Sequence, residues 1–254
     1  PHRSTNDEQL AAASIPGVAD VYPDAEPLDW HWDRTNRFLG ASDVHRNLGI
    51  TGEGVAIAIV DSGIDASHAN LAGPTVENYQ LIGPEYLSIA GYDPDPDLAT
   101  TYVALPFHQG PYSNTDTIGH GTHVAGIAAG DQDAGDPELV GVAPDAELIG
   151  YGTGQVVFIF EILAAFDHIL QNHERLGIRV VNNSWGSSFA LFDPEHPTNV
   201  ATRALYDAGL VVTFSAGNSS QEMMINPWSV APWVISMGST TASPNPSRSD
   251  FSSG

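Results

Sequence analysis

Apolar residues fall along this chain in short unbroken runs joined by polar, glycine-rich segments, and in one longer stretch at helical spacing. Gly54-Val55-Ala56-Ile57-Ala58-Ile59-Val60-Asp61 is apolar at every position from Val55 to Val60 and ends on an aspartate. A strand buried on both faces reads this way, as in a parallel sheet. Arg179-Val180-Val181-Asn182-Asn183-Ser184-Trp185-Gly186 and Val211-Val212-Thr213-Phe214-Ser215-Ala216-Gly217-Asn218 repeat the pattern. Glu147 to Tyr151 and Trp233 to Gly238 predict further strands. Between them, Ile159, Ile162, Leu163, Phe166, Ile169 and Leu170 line one side of a helix over 159–172. Helices are also expected over 38–48 and 199–208, and a short buried one where Val124, Ala125, Ile127, Ala128 and Ala129 follow His120. Strands alternating with helices predict a three-layer α/β fold, a mostly parallel central sheet with helices on both faces. The stretch from Asn70 to Thr117 is richer in proline, tyrosine and aspartate than in periodic apolar residues, so surface loops are expected there. Residues 1–35 are polar, acidic and broken by Pro16, Pro23 and Pro27, and do not read as core.

Composition narrows the picture. A chain of 254 residues suits one large α/β domain. It has no cysteine, which excludes disulfides and thiolate metal sites, and no run of about 18 apolar residues that could span a membrane. Against 31 acidic residues stand only 8 basic ones, all arginine, for a net charge of -23. Such a surface repels nucleic acid and anionic membranes as partners and tolerates high salt, where self-repulsion is screened.

The candidate chemistry centres on Gly119-His120-Gly121-Thr122-His123. Glycines on both sides of His120 permit a sharp turn and leave its imidazole within reach of another group. A histidine so placed can act as a general base near neutral pH, although an H-x-x-H pair also occurs at ordinary helix starts. Asp61 closes the first apolar run with a carboxylate, and the 211–218 segment ends on the amide of Asn218. His120, His123 and Asp61 could instead ligate zinc, but the glutamate of H-E-x-x-H is missing. Asp93-Pro94-Asp95-Pro96-Asp97 offers hard oxygen ligands for calcium, or simply proline-locked turns.

Four segments, D-S-G-I-D at 61–65, H-G-T-H-V-A-G at 120–126, N-N-S-W-G at 182–186 and S-A-G-N at 215–218, stand in the order found in the subtilisin-like serine peptidases, and the chain resembles that family from about Gly49 onward. The resemblance implies a serine endopeptidase acting on proteins or peptides through an acyl-enzyme. Asp61 would orient His120, and Asn218 would donate to the oxyanion. Gly152, Thr153 and Gly154 would pair with substrate backbone. Ser184, Trp185 and Gly186, with Ser215, Ala216 and Gly217, would line the substrate cleft, the tryptophan favouring apolar or aromatic side chains. It also implies an exported, extracellular precursor, with no cofactor needed for chemistry and calcium as a structural ion. Asp131 to Glu138 occupies the place of a family calcium loop without reproducing its ligands. Ile15 to Asp24 resembles the last strand of an inhibitory prodomain, so residues 1–35 are expected to be a prodomain tail or linker and 36–254 the peptidase domain. The family's G-T-S-x-A-x-P nucleophile motif does not occur in these residues, and 248–254 resembles the F-S-S-x-G segment that precedes it. The expectation is a domain C-terminally incomplete before its serine helix, with core around the Val55 and Val211 strands left open to water. A non-catalytic subtilase-like binding module is the rival reading, and a metal hydrolase a more distant one.

Overall fold

The computed structural model describes residues 36–82, 105–131, 140–187, 191–219, 225–241 and 245–253. The expected prodomain tail, the Asp93–Asp97 candidate and all of 131–138 except Asp131 lie outside them.

Among the described residues seven strands form one sheet: β1 (Ala56–Asp61), β2 (Thr75–Ile82), β3 (Leu105–His108), β4 (Glu147–Gly152), β5 (Ile178–Asn183), β6 (Val211–Ser215) and β7 (Ile235–Met237). Their order is β3-β2-β4-β1-β5-β6-β7. Every pairing is parallel except that of edge strand β3 with β2. The apolar run at Val55–Val60 thus becomes the central strand, as its two-sided burial demands. Among the described residues four helices accompany the sheet: α1 (Ala41–Leu48), α2 (His120–Ala129), α3 (Ile159–Asn172) and α4 (Pro197–Asp207). Helices α3 and α4 pack on one face over a core that includes Val60, Tyr151, Phe166, Val181, Val212 and Phe214. Helix α2 packs on β1 and β4 across a second core of Ile59, Ile64, Leu71, Ala125, Ala129 and Leu148. The three-layer α/β expectation holds.

Two expectations are corrected. The polar stretch 70–117 contains sheet as well as loops, for β2 and β3 lie inside it. Buried Tyr79 and Leu81 alternate there with polar residues, and Asn78, fully buried, donates its amide to the carbonyls of Ile64 and Ser113 at 3.0 Å each. The core around β1 is closed by α2, against the open-core expectation there. Val212 and Phe214 point into the α3–α4 core; the opposite face of β6 and β7 carries Val211, Ile235 and Met237 at 44%, 52% and 54% exposure.

Candidate active site

Asp61 closes β1 with its side chain only 3% exposed. The β4–α3 connection holds it from behind, since Thr153 donates to the Asp61 carbonyl through its backbone N–H (2.8 Å) and its hydroxyl (3.2 Å). One carboxylate oxygen, Oδ1, accepts from the Ser62 N–H at 2.7 Å and meets His120 Nδ1 at 2.6 Å. A carboxylate only accepts, so Nδ1 carries a proton, and in the neutral imidazole Nε2 keeps its lone pair. The imidazole is 53% exposed, which leaves Nε2 open for a further partner. Asp61 Oδ2 is buried and has no hydrogen-bond partner among the described residues.

Close approach of the Asp61 turn to α2 depends on two glycines. A Cβ on Gly121 would lie 2.1 Å from the Gly63 carbonyl oxygen, and one on Gly63, at φ +135°, 2.3 Å from that of Thr115. Neither collision can be relieved by a rotamer change.

Beyond the C-terminal ends of β5 and β6 lies a hollow of about 310 Å³ lined by Ser184, Trp185, Gly186, Ser187, Ser215, Gly217, Asn218, Ser219 and Asn226. Six of these nine residues carry hydroxyl or amide side chains. Asn218 is exposed, and its side chain makes no hydrogen bond to the described residues. Trp185 lines the hollow but also serves the core, with its ring edge-on to Phe214 and Trp228 at centroid distances of 5.0 and 5.2 Å. Ala216 is not on the wall; it is buried and hydrogen-bonded to Met237 and Asn226. Nor do Gly152, Thr153 and Gly154 line the hollow. Gly152 ends β4, and the Thr153 and Gly154 N–H groups bond the Asp61 and Ser62 carbonyls. Asn226 escaped the sequence reading because Asn-Pro-Trp looks like a turn. It is buried, and its amide donates to the Trp185 carbonyl at 3.0 Å and the Ser215 carbonyl at 2.8 Å, drawing the ends of β5 and β6 together.

The zinc alternative fails on geometry. His123 lines a separate hollow with His68, Asn70, Leu71 and Thr122, whereas His120 is committed to Asp61. Among the described residues no three histidine or carboxylate side chains converge to hold a metal ion. The one described member of the expected calcium loop, Asp131, joins Asn70 through its main chain, and the described residues do not make a cation site.

The arrangement is that of a base held by an acid at one end of a parallel sheet, and the model of one family, the subtilase family, matches residues 52–254. The chain belongs to the subtilase family. This subtilase is 27% identical to the subtilisin-like protease SBT1.9 of Arabidopsis thaliana over 93% of its length. It is 30% identical to the minor extracellular protease Vpr of Bacillus subtilis over 83%, and 32% identical to a Bacillus subtilisin over 71%. It spans only 36%, 23% and 38% of those three proteins. Among solved structures it superposes on an S41 psychrophilic protease with a TM-score of 0.62 at 24% identity, and on sphericase with 0.60 at 25%. In each case 84% of this chain and 64% of the other is covered. The first of these likenesses speaks to fold alone.

Proposed function

We propose that this subtilase supplies the acid, the base and the oxyanion donor of a serine endopeptidase. The 2.6 Å contact between His120 Nδ1 and Asp61 Oδ1 carries the reading. Asp61 fixes the tautomer that leaves Nε2 free to take a proton from a serine hydroxyl, and it stabilises the imidazolium that forms. The hydroxyl oxygen then attacks the scissile carbonyl. Asn218, exposed at the rim of the hollow, donates its amide to the oxygen as charge develops there. His120 returns its proton to the leaving amine, and a water molecule repeats the sequence to release the acyl group. The polar hollow receives a side chain of a protein or peptide substrate.

No serine hydroxyl among the described residues hydrogen-bonds His120 Nε2. Ser215 contacts the Trp185 carbonyl and Ser239 contacts Ser249. The nucleophile is proposed to come from outside these residues; because its sequence has no G-T-S-x-A-x-P motif, the 254-residue chain alone is proposed to be inactive. An extracellular location is supported by the relative described as an extracellular protease; among the described residues no helix is long and apolar enough to cross a membrane. Residues 1–35 as the chain's own inhibitor, and calcium as a structural ion, remain proposals of the family resemblance.

The test is a serine-directed fluorophosphonate probe applied to the full-length parent with and without a zinc chelator. Labelling that survives the chelator and disappears in His120→Ala supports the reading. A parent that neither labels nor cleaves peptides would be a non-catalytic module, and inhibition by chelator alone would point to a metal hydrolase.

A further inference from the structure

Helix α2 starts without a cap of its own. Its N-cap position is Gly119, at φ +85°, which has no side chain to accept from the first free N–H groups. Those groups are satisfied from elsewhere. Gly121 N–H donates to the Ser62 hydroxyl oxygen at 2.9 Å, and Thr122 N–H to Asp116 Oδ2 at 2.9 Å. In the other direction, Asp65 N–H donates to the Thr122 hydroxyl oxygen at 2.9 Å. Two hydroxyl bridges thus run between the residues after Asp61 and the residues after His120, each oxygen accepting from the opposite segment.

A hydroxyl oxygen accepts dependably only if its own proton is directed elsewhere. Both protons go to the same place: Ser62 Oγ donates to Asp116 Oδ1 at 2.9 Å, and Thr122 Oγ1 to Asp116 Oδ2 at 2.6 Å. The carboxylate also accepts from Ile118 N–H at 3.1 Å and Gly119 N–H at 2.9 Å. We propose that Asp116 is the positioning residue of the Asp61–His120 pair, a single carboxylate that turns the Ser62 and Thr122 hydroxyls into acceptors and so clamps the β1 turn to the first turn of α2. Burial acts to raise the Asp116 carboxyl. The hydrogen bonds from the Thr122 hydroxyl and backbone, Ile118 and Gly119 outweigh it, so the group lies below the ordinary carboxylate value and stays ionised. Its charge also sits at the N-terminus of α2, where the helix dipole favours an anion. The role assigned to Asp116 rests on the proposed function, but the clamp can be read without turnover.

An isosteric amide cannot replace the carboxylate. Whichever way the side chain of Asp116→Asn turned, its NH₂ would face donors on one side, and one hydroxyl would lose the acceptor that takes its own proton. The experiment compares Asp116→Asn, Thr122→Val and Thr122→Ser in the full chain by NMR. It follows hydrogen exchange of the Gly121 and Asp65 amides and of the His120 Nδ1 proton, with the Ile59 and Ala125 amides as core controls. Asp116→Asn is expected to accelerate the His120 Nδ1 proton and the amide of whichever bridge loses its oxygen, Gly121 or Asp65, about tenfold or more relative to the controls, the worth of hydrogen bonds to a charged group. Thr122→Val accelerates Asp65 and leaves Gly121 unchanged, and Thr122→Ser restores Asp65. Unchanged reporters in Asp116→Asn, or equal acceleration of the core amides, overturns the proposal. If Asp116→Asn does not fold, the Val and Ser variants decide: equal Asp65 exchange in both overturns it. A parent unreactive toward a serine-directed probe would sink the peptidase reading and leave these rates as they are.

Discussion

Trp185, two residues beyond β5, donates its indole N–H at 2.9 Å to the carbonyl of Val60, the residue before Asp61 and 125 positions earlier in the chain. One side chain therefore links the wall of the hollow to the strand that presents the candidate acid. Trp185→Phe keeps most of the ring contacts with Phe214 and Trp228 but removes this donor. It also leaves a carbonyl in the core without its partner. The expected cost is about 2 kcal/mol, read as a lower urea midpoint with an unchanged slope. A shift within about 0.5 kcal/mol, the usual range for surface substitutions, would show that the indole N–H is dispensable.

Much of this arrangement is legible in the sequence, and the reason is physical. β1, β5 and β6 each lie between two paired strands of the sheet, so their apolar runs stand out against the polar joints. His120 stands out because close approach to the Asp61 turn requires glycine at 121, where a Cβ would strike the Gly63 carbonyl. β2 is hidden because Thr-Val-Glu-Asn-Tyr-Gln-Leu-Ile satisfies its polar groups through tertiary contacts, such as Asn78 with Ile64 and Ser113. Local sequence carries no trace of a partner fourteen or thirty-five residues away. Asp116 and Asn226 are hidden for the same reason. Each sits in a segment of turn-forming residues, and only folding brings it the donors and acceptors that define its role.

A pH-sensitive contact lies on the far side of the sheet from α2. The buried Tyr151 hydroxyl pairs with His168 Nδ1 at 2.9 Å, and Tyr79 stacks on Tyr151 with ring centroids 5.3 Å apart. Burial pushes the Tyr151 phenol far up, so it remains a donor and His168 the acceptor. Burial lowers the His168 imidazole first, and the Arg175 guanidinium adds to that; Glu77 and Asp167 act upward without prevailing. A histidine whose folded value lies below its unfolded one contributes fully above the unfolded value, about 6.5. That contribution is lost as pH falls through it toward the folded value. The melting temperature should drop between about pH 7.5 and pH 5. In His168→Asn, whose Oδ1 can accept from Tyr151 without titrating, the drop should be smaller. Contributions common to both proteins cancel in the comparison. Equal drops would place the pH dependence elsewhere.

Salt dependence follows from charge balance. With 31 carboxylates against 8 arginines, most of the acidic surface has no opposite charge within the chain to neutralise it. Two arginine pairs, Arg46 with Asp43 and Arg203 with Asp207, are more than half exposed on each side. Exposed pairs of this kind contribute at most about 1 kcal/mol each, so weakening them costs little. Repulsion among the uncompensated carboxylates is felt over about 10 Å at 0.1 M salt but only about 3 Å at 1 M. Unfolding lets those charges move apart, and screening removes that incentive. The melting temperature of the chain should therefore rise steadily as potassium chloride is raised from low to molar concentration. Potassium chloride is the salt to use, because sulfate would strengthen apolar burial by a separate route. A flat profile would mean that the carboxylates are spaced widely enough for water alone to screen them.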